Sequence, residues 1–573
     1  MSIKFEIENL IEKAIGKKAA VEMPDNFSYG DFSTNVAIKE KLSPQEVADK
    51  LKISPLFEKV EVVNGFINLF LKPEYFLENL KQILKQKEKY GQSQIGKGKT
   101  IIIDYSGPNI AKPFGIGHLR STIIGQAIYN LYKFLGYKTI GDNHLGDWGT
   151  QFGKLIYKIE LGIKNQELRI EELTIGDLEK LYVEFHKEAE QNPVLNDEAR
   201  AWFKKLEEGD KKAKEIWQAC KEISLKEFDR IYNLLGIKID NTLGESFYEN
   251  KMRGIEDEML EKKFAFINTE KPADSYNYII SGSRGTTVAT PTNLPPIVSS
   301  RYDKTASYLL RDLATVKYRL KKWKPSIIVY EVGVDQSLYF KQLFQLVEDL
   351  GWASKDIFFH VAHGLMRSKT GKFSTRRGDT VHLEDVLQEA IDKAKEIINN
   401  SETDKNLPEK EKNQLAKQIG IGAVKYNDLS QHHSRDIVFD WDKIINLKGN
   451  SGPYLQYAFA RTQSVLEKSY SNRVAVNSKI DFKELQEIEK IILKKFLHFS
   501  EVVEQAANSF SPNLICNYIF NLSQSFNLFY NEVSILKADT KEQKEFRLAL
   551  TFGVGQVIKN SLTLLGIESP NKM

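Results

Sequence analysis

The 573-residue sequence predicts a mixed α/β fold: a doubly wound parallel-sheet domain with an inserted helical region, preceded by a small α+β domain and followed by an all-α helical bundle. Three observations carry this expectation. Ile101-Ile102-Ile103 is a β-branched run of the kind buried in parallel sheets, and a Gly/Pro loop and a helical pattern from His118 to Leu135 follow it. The run from Val60 to Leu71 reads as two strands about a turn at Asn64-Gly65. From about Leu447 onward, apolar residues recur at helical spacing through Tyr454 to Leu466, Leu485 to Phe499, Leu514 to Phe529 and Leu548 to Leu565.

Taken in chain order, Met1 to Ala14 interleaves Lys and Glu with apolar residues, which gives an amphipathic helix and lacks the basic and apolar blocks of a secretory signal. Residues 1–95 form the α+β domain, closed by a Lys-rich linker from Lys85 to Thr100. Within that linker Gly91 to Lys97 has P-loop spacing, but Gly98 replaces the magnesium-binding hydroxyl and the segment precedes a strand, so it reads as flexible connection. Residues 96–445 make the doubly wound domain: Ile101 to Ile103, then Tyr137 to Ile140, then Ile327 to Tyr330 are its strands. The insertion spans about 162–291, with charged helices from Gly162 to Ile237 around Trp202 and Trp217. Residues 446–573 are the bundle.

Composition excludes several classes. Hydrophobic residues at 41% and charged residues at 28% are ordinary for globular chains. The longest uncharged run, Gln505 to Asn531, is broken by Pro512 and many amides, so no membrane segment is expected. Cys220 and Cys516 are the only cysteines, which excludes a disulfide framework or a Cys-rich zinc site and fits a reducing, cytoplasmic address. A net charge of +4 is too small to imply a polyanionic partner by itself.

The chemistry concentrates in the loop Asp104-Tyr105-Ser106-Gly107-Pro108-Asn109-Ile110-Ala111-Lys112-Pro113-Phe114-Gly115-Ile116-Gly117-His118. Small residues there let backbone approach a ligand, the helix that follows offers unpaired N–H groups to an anion, and Lys112 and His118 add donors. Gly115-x-Gly117 has Arg120 where a dinucleotide fingerprint needs glycine.

On these residues the chain resembles the class I aminoacyl-tRNA synthetases, whose HIGH signature sits on such a turn, and within them the arginyl-tRNA synthetases. The stretches Ser106 to Pro113, Gly117 to Thr122 and Asn143-His144-Leu145-Gly146-Asp147-Trp148-Gly149-Thr150-Gln151-Phe152-Gly153 are similar to that family in order. Gly371-Lys372-Phe373-Ser374-Thr375-Arg376-Arg377-Gly378 resembles the second, KMSKS signature. Ser451-Gly452-Pro453-Tyr454-Leu455-Gln456-Tyr457-Ala458-Phe459-Ala460-Arg461 resembles a tRNA-contacting helix. Tyr29 to Asn35 and Gly65 to Asn68 resemble the family's added domain at the tRNA elbow.

The resemblance implies a Rossmann-type catalytic domain in which Lys112, His118, Lys372 and Arg376 are catalytic. Gly115, Gly117, His118, Ser121, Lys372 and Ser374 would meet ATP; Asp104, Tyr308 and Asp312 the arginine guanidinium; Asn109 and Gln336 its head group; Tyr454, Gln456, Tyr457 and Arg461 the tRNA. Asp147 and Trp148 are expected to shape the site rather than react. It further implies L-arginine, ATP and tRNA(Arg) as substrates of a monomer, with Mg2+ carried by ATP and no zinc or organic cofactor. A small-molecule adenylate former would need neither terminal domain, and a silent RNA binder would have no use for Lys112, His118 and Lys372 together.

One departure is specific: Gly115 stands where HIGH has its first histidine. Gly115→His is therefore expected to raise the rate of arginine activation, by up to the roughly 2.7–4 kcal/mol that one transition-state donor supplies. An unchanged single-turnover rate would show that the missing imidazole is not a lost donor.

Overall fold

Strands β1 (Phe32–Thr34), β2 (Phe57–Val63) and β3 (Phe66–Leu71) form an antiparallel sheet in the order β1-β3-β2. The β2–β3 turn is the one expected, with Asn64 and Gly65 both at positive φ (52° and 83°), the conformation a two-residue hairpin of matching twist requires. The computed structural model describes residues 3–24, 26–252, 254–268, 286–300, 307–368, 381–401, 407–469 and 482–573.

Next come β4 (Thr100–Asp104), β5 (Lys138–Asn143), β6 (Asn241–Thr242), β7 (Ala265–Asn268), β8 (Thr286–Ala289), β9 (Ile297–Ser300), β10 (Ile327–Gly333) and β11 (Phe358–His363). Five of them make a parallel sheet in the order β11-β10-β4-β5-β6. Ile101, Ile102 and Ile103 of the central β4 are fully buried, as a strand covered on both faces demands. The winding direction reverses between β4 and β10, and the crevice at the carboxyl ends of those two strands is where such sheets hold ligands. The Gly117–Phe134 helix connects β4 to β5.

The charged stretch from Gly162 to Ile237 folds into the helices Ile175–Gln191, Leu195–Glu208 and Lys211–Leu235, packed with the Thr150–Lys164 helix that leads into it. Gly153 lets two of them touch, since a Cβ there would lie 1.9 Å from the Ala199 carbonyl oxygen. The insertion is not helical throughout, however: β7, β8 and β9 form a separate antiparallel sheet. Four-residue strands carry too few alternations to stand out beside four long amphipathic helices.

Two further strands, β12 (Met366–Ser368) and β13 (Ile437–Phe439), pair in parallel. The C-terminal helices Gly452–Lys468, Glu487–Asn508, Asn513–Glu532 and Lys541–Leu564 pack as a bundle. Among the described residues no helix is long and apolar enough to cross a membrane.

The expected flexible linker is instead packed. Tyr90 is buried and donates to the Phe496 carbonyl at 2.8 Å, while Asn560 Nδ2 donates to the Lys87 and Tyr90 carbonyls at 3.0 and 3.1 Å. Side-chain atoms added at Gly91 or Gly96 would collide with Phe499 or Tyr137. Its lysines made the segment look solvated, but its glycines mark close contact. Lys494 also reaches Asp31 of the first domain at 2.8 Å, and that aspartate is 2% exposed. One hydrophobic core accordingly runs from Ile7 to Ile567.

Candidate active site

The loop after β4 is held by side chains from three elements. Ser106, at φ 76°, donates its N–H to Ser121 Oγ at 2.9 Å, and its hydroxyl lies 2.8 Å from both Thr122 Oγ1 and Tyr232 Oη. Asn143 at the end of β5 accepts from the Gly107 N–H at 3.0 Å. Ser121 donates onward to the Glu331 carbonyl of β10, so its hydroxyl fixes the crevice walls to each other. Asn109 is exposed and lies against Gly146, where a Cβ would come within 1.9 Å of its Oδ1.

His118 sits in the first turn of the Gly117–Phe134 helix, and its Nδ1 accepts the Gly115 N–H at 3.1 Å. That bond assigns the proton of a neutral ring to Nε2. Burial, then the nearby Lys112 charge, lower its pKa, so at neutral pH the imidazole is an uncharged Nε2–H donor. Gly117 is exposed, with nothing near the position of a Cβ, which leaves the helix N-terminus open to an anion.

Lys372, Ser374 and Arg376 lie outside the described residues, but both flanks of their segment are fixed. On one side β12 pairs with β13. On the other, Ile116 N–H bonds to the Val381 carbonyl at 3.0 Å, Leu383 N–H to the Phe114 carbonyl at 2.8 Å, and Gly115 bridges His382. The residues just past the second signature therefore bond directly to the first. Arg120, 1% exposed, completes the link: its guanidinium pairs with Asp428 at 3.0 Å and donates to the carbonyls of Gly364, His433 and Arg435 at 2.8–3.1 Å.

Beyond the carboxyl ends of β4 and β5 lies an acidic cluster. Arg319, fully buried, bonds to Asp104 Oδ2 and Asp142 Oδ2, each at 2.7 Å, and its Nη1 has no partner among the described residues. Asp312 accepts from Tyr339 Oη and lies 3.7 Å from His144 Nε2. Burial raises the Asp312 pKa, and burial lifts Glu245 to about 8 despite Arg311, with Asp312 adding to the rise. The cluster thus gathers Asp104, Asp142, Asp312, Glu245 and Glu249 around two guanidiniums, Arg311 and Arg319. Tyr308, one helical turn before Asp312, is 65% exposed, and Gln336, just past β10, is exposed as well. Asp147 is fully buried on Ser246 and Lys221, which gives it a structural place.

In the bundle, Arg461 lies 4.6 Å from the Tyr457 ring and 4.9 Å from Tyr530, and Asn527 bonds both Arg461 and the Tyr454 hydroxyl. These side chains are partly exposed. Gln456 departs from its expected RNA role: it is fully buried, and its amide donates to the carbonyls of Gln418 and Glu568 at 3.0 and 2.8 Å. It ties the bundle to the preceding helix. Sequence reasoning missed Glu245, Asp142, Tyr339 and Arg319. Only Arg319 had a usable signal, because it lies seven residues after Asp312 and shares its helix face.

The chain matches the family described as "tRNA synthetases class I (R), catalytic domain" over residues 79–441. It also matches "Arginyl tRNA synthetase N terminal domain" over 1–71 and "DALR anticodon binding domain" over 455–573. It is 39% identical over 578 aligned residues to the arginine–tRNA ligase of Clostridium beijerinckii, covering 100% of this chain and 98% of that one. The arginine–tRNA ligase of Clostridioides difficile is 38% identical over 582, covering 100% and 98%. The fold resembles the solved arginyl-tRNA synthetase of Thermus thermophilus with a TM-score of 0.81 at 20% identity over all of both chains.

Proposed function

Since the chain belongs to the arginyl-tRNA synthetases, activating L-arginine with ATP and esterifying it to tRNA(Arg), we propose that the acidic cluster binds the substrate guanidinium and that the loop after β4 binds the ATP phosphates. The observation that carries the assignment of the cluster is the surplus of buried carboxylates. Burial holds Glu245 near pKa 8 in spite of Arg311, and a further guanidinium beside it would favour its ionised form. Asp312 and Glu245, with Tyr308 at the rim, form the guanidinium subsite; Asp104 acts through the field it shares with Arg319. Asn109 and Gln336 are open to solvent and serve the amino acid head.

The arginine carboxylate attacks the α-phosphorus in line and pyrophosphate leaves; the terminal 2′-hydroxyl of the tRNA then attacks the carbonyl carbon of the arginyl-adenylate, forming the ester as the acyl–phosphate bond breaks and AMP leaves with the phosphate. Such displacements need positioning and charge stabilisation rather than covalent help. His118 Nε2–H, Lys112 and the open helix N-terminus at Gly117 supply that on one side, with Gly115 contributing backbone only. Lys372, Ser374 and Arg376 supply it on the other, supported by the bonds that tie their flanks to the first signature. Magnesium comes with ATP as part of the substrate, since it keeps phosphate and water ligands readily. Tyr454, Tyr457 and Arg461 offer stacking planes to unpaired tRNA bases, and the first domain meets another part of the tRNA. The enzyme works in the cytoplasm as a monomer.

Aminoacylation of total tRNA with each amino acid in turn tests the reading. Arginine alone should charge; charging by another amino acid, or by none, overturns it.

A further inference from the structure

His382 stands where the flank of the second signature crosses the first. The bonds from Ile116 to Val381 and from Leu383 to Phe114 make Gly115 and His382 directly opposed residues of an antiparallel bridge, as a pair that is not itself hydrogen-bonded. In such a pair the two Cα atoms lie about 4.5 Å apart and both side chains leave the same face. Gly115 has no side chain, so the space beside it on that face falls to the His382 imidazole.

His382 is the N-cap residue of the Leu383–Asn400 helix, but its side chain makes no capping bond. Its Nε2 lies 3.5 Å from Glu179, which orients the ring. Its Nδ1 is buried and has no partner among the described residues. Such atoms are few in native proteins, and a catalytic or binding role is one of the recognised reasons for them. Three residues beyond Glu179 on the same helix face is Tyr182, whose ring centre is 4.5 Å from Lys112 Nζ. The imidazole and the Lys112 ammonium therefore stand about one helical turn apart along that face.

We propose that His382 is a catalytic residue whose Nδ1–H donates to a phosphate oxygen of ATP as the adenylate forms, a contact that position 115 cannot make. In the charged ring both nitrogens donate, Nε2 to Glu179 and Nδ1 to the anion, which makes Glu179 a positioning residue. The proposal rests on the reading that the loop after β4 binds the ATP phosphates. That reading's own failure would appear separately, as Lys112→Ala and His118→Ala variants that both activate arginine at the wild-type rate.

His382→Ala should lower the single-turnover rate of arginyl-adenylate formation by about 10², the loss of one preorganised donor. KM for tRNA should stay within a few fold, and the denaturant midpoint should hold, since the bridge is made of backbone bonds. The Gly115 backbone lies outside the left-handed region and accepts a side chain, so Gly115→His can be placed in the His382→Ala background. There it should restore the rate by about tenfold or more, and by a larger factor than Gly115→His adds to the wild type. Glu179→Gln should slow the same step by about tenfold in the wild type and not at all once His382 is replaced, as residues acting through one group are not additive. A His382→Ala rate within about threefold of wild type would overturn the proposal. So would a loss confined to KM for arginine, a loss that tracks a lowered midpoint and is not relieved by Gly115→His, or equal losses from Glu179→Gln in both backgrounds.

Discussion

His118→Ala lowers the single-turnover rate of arginyl-adenylate formation by about 10²–10³, equivalent to roughly 2.7–4 kcal/mol of transition-state stabilisation from one preorganised donor. The expectation is at the upper end for this chain because the usual companion imidazole is replaced by Gly115, so no second ring of that loop can share the load. The ring is neutral at working pH, lowered by burial and by Lys112, and its Nδ1 is occupied by the Gly115 N–H. It therefore acts as a hydrogen-bond donor rather than a charge. His118→Gln, which keeps an amide N–H at similar reach, should recover part of the rate. KM for tRNA should stay within a few fold in both variants. A loss smaller than tenfold in His118→Ala would move the burden to Lys112 and the backbone.

Arg120→Ala has the largest expected effect on stability. Its guanidinium is almost wholly buried, pairs with Asp428 and satisfies three carbonyls from two separate segments. Burial already raises the Asp428 pKa to about 6 against the opposing pull of Arg120. Removing one partner of such a pair strands the other, at about 3–5 kcal/mol. The denaturant midpoint should fall accordingly, and Arg120→Met with Asp428→Leu should be less destabilised than Arg120→Ala alone. A midpoint within error of wild type would sink the account. Because the same guanidinium fixes Gly364 just before β12, adenylate formation should also slow at temperatures where Arg120→Ala remains folded.

Much of the fold was legible because it is local. The Asn64-Gly65 turn, the Ile101–Ile103 strand and the long helices each announce themselves within a dozen residues, and the structure has all of them. The first-signature loop was legible too, since its glycines, Lys112 and His118 fall within one short stretch between β4 and the helix that follows. What escaped notice depends on distant residues. Glu245 looks like any surface glutamate until the fold sets it near Asp312, and Arg319 looks like one of several cations on its helix until Asp104 and Asp142 close over it. Gln456 shows the converse error: a resemblance marks a whole helix as tRNA-contacting, not which of its polar residues look out and which look in. The packed stretch from Tyr90 to Gly96 was hidden because lysine content outweighed two glycines whose role is contact.

The shared core has a thermodynamic consequence. Tyr90, Asn560, Lys494 and Asp31 join the first domain, the stretch before β4 and the last helices through buried bonds rather than through a free tether. Modules connected in this way lose each other's packing when either one melts, so the ends of the chain share one calorimetric transition instead of unfolding as independent beads. A ligand that grips either end should then raise the unfolding temperature of the whole, by mass action on the shared transition.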